Sequence, residues 1–155
     1  MAESFAILGI VANIAQFTEY ALILVPETRE ILASARGVTE ENLDIELIVR
    51  TIQDRHETLV QSTASGTETG IPSRGELAIL KLADRCEPIT KDLVKMLEKL
   101  RVKNSKFPKL ESLRAALIAS AKKPAIQALK QRLLDIETQI GHEMTKMLKY
   151  GFFSL

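Results

Sequence analysis

Twenty-two consecutive residues, Ser4 to Val25, contain one side chain that is ionised at neutral pH, Glu19. The stretch reads SFAILGIVANIAQFTEYALILV, and nothing else in the 155 residues is so apolar. As a helix rising ~1.5 Å per residue it would extend ~33 Å, about the ~30 Å hydrocarbon thickness of a bilayer. It is therefore a buried core helix, a membrane element, or a helix that exchanges one setting for the other. Asn13, Gln16 and Glu19 argue against a permanent span, because one charge near the bilayer centre costs ~3 kcal/mol even on insertion scales. A secretory signal is also disfavoured, since the chain opens Met1-Ala2-Glu3 and has no basic residue before Arg29. The expected resting location is cytoplasmic.

Within this segment Ile7, Ile10, Ile14, Phe17, Ala21 and Leu24 recur at helical spacing and form one apolar face. The opposite face carries Ala2, Gly9, Asn13, Gln16 and Tyr20. Small side chains allow close backbone approach and amides bond across helices, whereas a solvated face would carry Lys and Glu. The pattern predicts a helix with protein on more than one side, at the centre of a bundle. Pro26 then forces a kink or restart and is a candidate hinge.

The rest of the chain reads as further helices, with expected limits of about 3–25, 27–36, 40–61, 74–103, 108–121 and 124–149. Gly37 closes the second segment, and Thr39 with Glu40 and Glu41 opens the third. Ile45, Ile48, Ile52 and Leu59 are its inward stripe. Ser62 to Ser73 is rich in Gly, Ser and Thr and reads as a mobile loop. Ser73-Arg-Gly-Glu76 is a capping box, followed by Leu82, Cys86, Ile89, Leu93, Met96 and Leu100 at core spacing, with a bend expected at Pro88. Pro108 precedes a helix with Leu110, Leu113 and Leu117 inward. Pro124 precedes one with Ile126, Leu129, Leu133, Ile136, Ile140 and Met147 inward. No stretch alternates like a strand and no solenoid repeat is present. The expected class is all-α: a single domain over 1–155, a four- to five-helix bundle with a hydrophobic, kinked N-terminal helix packed centrally.

Charge is segregated. Residues 1–90 carry 7 basic and 14 acidic side chains, whereas residues 91–132 carry 12 basic and 3 acidic, inside a net charge of only +1. Lys99, Arg101, Lys103, Lys106 and Lys109 are the densest cluster and are candidates for contact with anionic lipid. The plainer reading is a solvated helix tip. Nucleic acid fits less well, because Phe107 is the one aromatic available for base stacking in that region.

Enzymatic constellations are missing, and no cofactor or metal is expected. There is no phosphate-binding glycine loop, and His56 and His142 lack metal-ligand spacing. Asp54, His56 and Glu57 point to different sides of a helix. Cys86 falls on a core stripe and is expected to be an inert thiol; as the sole cysteine it also excludes an internal disulfide.

Phe5-Ala-Ile-Leu-Gly-Ile-Val-Ala-Asn-Ile-Ala-Gln-Phe-Thr-Glu-Tyr20, Arg29-Glu-Ile31 and Ser34-Ala-Arg-Gly37 together resemble the start of N-terminal helical domains on fungal NACHT-type receptors. Leu82-Ala-Asp-Arg-Cys86, Glu98-Lys-Leu-Arg-Val-Lys103, Leu113-Arg-Ala-Ala-Leu117 and Arg132-Leu133 continue the resemblance over nearly the whole chain. It implies a HeLo-like bundle serving as the effector module of an NLR-type STAND receptor in fungal innate immunity and heterokaryon incompatibility. A NACHT ATPase and sensor repeats would follow Leu155 in cis. It further implies self-association and conditional entry of the first helix into the plasma membrane, causing programmed cell death. Phe5, Ile7, Leu8, Ile10, Val11, Ile14 and Phe17 are then the insertion candidates, with Pro26 as hinge. A signalling or oligomerisation adaptor without membrane activity is the alternative, and it explains the same helix as plain core.

Overall fold

The computed structural model describes residues 2–25, 43–66 and 73–151. The expected helix at 27–36, together with Pro26, Gly37, Thr39 and positions 67–72, lies outside the described residues. α1 (Ala2–Leu24) forms where the apolar stripe predicts it, and Ile7, Ile10, Ile14, Phe17, Ala21 and Leu24 are all buried. A two-residue strand, β1 (Leu43–Asp44), leads into α2 (Ile45–Gly66). Then follow α3 (Arg74–Arg101), β2 (Lys106–Phe107), α4 (Leu110–Ser120) and α5 (Lys123–Lys146), which ends in a π-helical turn, Met147–Gly151. The chain is an all-α bundle with an apolar N-terminal helix.

Local signals account for most of the helix starts. The Ser73 hydroxyl accepts from the Glu76 amide at 3.2 Å, satisfying one of the unpaired donors of the first turn of α3. Pro124 occupies the first turn of α5, where no donor is lost. α2 begins later than Thr39 predicts, because its entry is set by the Asp44 carboxylate, which accepts from the Glu46 amide at 3.0 Å. It also ends later, since residues 62–66 of the expected loop are helical. α3 continues through Pro88, which is exposed.

Side-chain pairs fix the directions. Phe17 lies against His56 and Tyr20 against Arg55, so α1 and α2 are antiparallel. Ile45 donates its amide to Ser105 just past α3, while His56 senses Glu87 and Lys91, so α2 and α3 are antiparallel too. Arg85–Gln139 and Arg132–Asp92 contacts run α5 back along α3. Antiparallel pairing of Leu43 with Phe107 and Asp44 with Lys106 ties the start of α2 to the segment after α3. This ladder was not foreseen from the sequence, because two residues cannot show alternation. The end of α1, the start of α2, the end of α3 and the short α4 therefore meet at one end of the bundle.

One continuous core joins all five helices, and α1 touches each of the other four. It is central but not enclosed. Gly9, Ala12, Ala15, Gln16, Glu19 and Ile23 are exposed, and Asn13 and Tyr20 are half-buried. The face predicted to meet protein on a second side is open among the described residues. Small and amide side chains neither demand burial nor resist it, so their pattern could not separate close packing from exposure.

Candidate functional site

The two faces of α1 differ sharply. Ile10 and Ile14 have 0% of their surface exposed, and Ile7, Val11 and Phe17 are buried with them, while Leu8 is half-buried. The Phe5 side chain lies outside the described residues. Five of the insertion candidates, Ile7, Ile10, Val11, Ile14 and Phe17, thus point into the bundle, and lipid would reach them only after α1 had left it. Across the helix, Gln16, Glu19, Tyr20 and Ile23 line an open groove of about 500 Å³ with Arg55 of α2. The Arg55 guanidinium sits over the Tyr20 ring, 5.2 Å from its centroid. Partial burial raises the Tyr20 pKa, opposed by a hydrogen bond with Thr51 and by the Arg55 charge. Ala6–Leu24 is long and apolar enough to cross a membrane, and core helices of soluble proteins meet the same criterion.

The basic cluster is gathered at the end of the bundle where α1 finishes. Lys99, Arg101, Lys103, Lys106 and Lys109 are exposed, and Lys122 and Lys123 at the start of α5 adjoin them through the short α4. Arg101 is partly committed, with its Nε 3.1 Å from a Glu98 carboxylate oxygen. Between Arg101 and Lys103 stands Val102, 87% exposed. An apolar side chain ringed by cations is the composition that settles on an anionic lipid surface. Phe107, the one aromatic that might have stacked on bases, is buried opposite Leu43.

Sequence reasoning missed Arg114. This α4 residue is only 5% exposed, and its Nε and Nη2 both donate to the Ile23 carbonyl in the last turn of α1, at 2.9 Å from Nε. Burial pushes its pKa below the ordinary arginine value, with nearby Glu111 acting in the opposite sense. A signal for it existed: Leu110, Leu113, Arg114 and Leu117 share one helical face, so the arginine stands within an apolar stripe.

The groups considered for catalysis stay apart in character. Asp54 and Glu57 are exposed, whereas His56 is half-buried with its ring 6.2 Å from that of Phe17. Burial lowers the His56 pKa, opposed by Glu87 and reinforced by Lys91. Cys86 is buried and its thiol is pushed up to about 12 by desolvation, so it is protonated and inert at neutral pH. Among the described residues no cluster of three or more His, Cys, Asp or Glu side chains is placed to hold a metal ion. No family model matches the chain, and neither curated proteins nor solved structures yield a match.

Proposed function

We propose that this chain is the N-terminal effector module of a fungal NLR-like receptor, which self-associates and inserts α1 into the plasma membrane to bring about regulated cell death. The observation that carries the reading is the one-sided docking of α1. A helix long enough to cross a bilayer is held by its isoleucine face, and among the described residues its open face carries one full charge, Glu19. Release therefore strips a single face of α1 from the four helices it touches. The basic end supports the same reading, because α1 terminates there and a swing about residues beyond Val25 would start at the surface best suited to anionic lipid.

Dye release from lipid vesicles tests this. The chain is fused at its C-terminal end to an inducible oligomerisation domain, and release is expected only with inducer and only from vesicles containing anionic lipid. Inducer-dependent assembly without release from any vesicle would contradict the reading. It would favour instead a non-lytic oligomerisation adaptor, which complete enclosure of Ile10 and Ile14 also fits, since a plain core helix buries the same residues.

A further inference from the structure

The last carbonyls of a helix have no partner within it, and the C-terminal end carries partial negative charge. α1 has no basic residue in its last turn. The cation is supplied instead from α4, 91 residues away, where Arg114 turns two donors onto the Ile23 carbonyl. Ile23 itself is 40% exposed, so its own side chain contributes little to holding this turn. We propose that Arg114 is the latch that retains the end of α1 in the bundle. The proposal rests on the reading of α1 as a helix that leaves, and it adds the contact that must break first.

Three features make Arg114 more than a packing residue. The guanidinium is planar and forked, so it grips one carbonyl with two N–H groups in a way that a lysine cannot. It is buried, so withdrawing the carbonyl takes two charge-assisted bonds from a desolvated cation, which costs more than losing an exposed bond would. It is also carried on a marginal helix. α4 has 11 residues, no side-chain cap at Lys109, and depends on Leu110, Leu113 and Leu117 for its place. Isolated helices of that length are barely stable in water. Lys106 and Lys109 precede α4, and Lys122 and Lys123 follow it, so force on the basic end acts on the helix that holds the latch.

Amide hydrogen exchange on the whole chain, without lipid, tests the latch apart from any membrane activity. Arg114→Met keeps much of the length and apolar bulk but donates nothing. Amides in the second half of α1 are expected to exchange about 10- to 100-fold faster, the loss typical of a hydrogen bond from a charged group. Those of α3 and α5 should be unchanged. Arg114→Lys should give a smaller acceleration in the same place. Leu117→Ala, on the same helix but removing no donor to the Ile23 carbonyl, should loosen the bundle without singling out α1. Unchanged exchange in α1 of Arg114→Met, or acceleration no greater than in α3 and α5, would overturn the latch. Faster exchange confined to α1, with no dye release from anionic vesicles, would uphold the latch and remove the membrane reading.

Discussion

Adding charge to the open face of α1 separates its role in the bundle from any role in a membrane. Ala12 and Gln16 are both exposed and lie within about 5 Å of the helix midpoint at ~1.5 Å per residue. Within the bundle, Ala12→Lys and Gln16→Lys place two cations on an exposed face on good helix-forming residues, so each is expected to change stability by less than about 0.5 kcal/mol. At the centre of a bilayer each lysine costs ~3 kcal/mol, and the pair ~6 kcal/mol, or roughly 10⁴ in an insertion equilibrium. The double variant should therefore show wild-type circular dichroism and thermal unfolding while losing dye release from anionic vesicles. Lysine rather than glutamate is chosen so that attraction to anionic lipid is not weakened. Substituting Ile10 or Ile14 would confuse the two effects, because both are fully buried and a charge there would unfold the bundle. Undiminished release from the folded double variant would refute insertion of α1. Unfolding of that variant would refute the open face itself.

Other consequences concern the bundle alone. Ser73→Ala removes the hydroxyl that accepts from Glu76 and should cost about 1 kcal/mol, read as a lower midpoint in urea unfolding. His56 has a folded pKa below 6.5, so the unfolded chain binds its proton first as pH falls. The contribution is fully present above pH 6.5 and is lost as pH drops from there through the depressed folded value; His56→Gln should flatten that part of a stability–pH curve. Cys86, with a thiol near 12, should react with a disulfide reagent at pH 8 far more slowly in the native protein than in denaturant; equal rates would contradict its burial.

What could be read from the sequence was what one helix states about itself. Ile7 to Leu24 on α1, Ile45 to Ile52 on α2 and Ile126 to Ile140 on α5 recur every three or four residues, and those side chains form the core. Ser73 announces the start of α3 because a cap acts within three residues of itself. What could not be read depends on partners far along the chain. Gly9, Ala12 and Gln16 fit a packed seam or open water equally well, and only the placement of α2 and α5 leaves them exposed. Arg114 shares a stripe with leucines, but its acceptor is a backbone carbonyl that belongs to another helix and carries no sequence signature. The late start of α2 has the same origin: pairing of Leu43 with Phe107 claims residues that local propensity would have left to the helix.

Reversible tethering of α1 to α2 tests most directly whether the helix must leave the bundle. Gln16 and Arg55 line one groove, so Gln16→Cys and Arg55→Cys can be joined by a reducible spacer, with buried Cys86 too weakly ionised to compete. In the inducible oligomeric form, the tethered protein should assemble and bind anionic vesicles yet release no dye, and reduction should restore release. Equal release before and after reduction would show that α1 acts without leaving α2, and would contradict the mechanism at its centre.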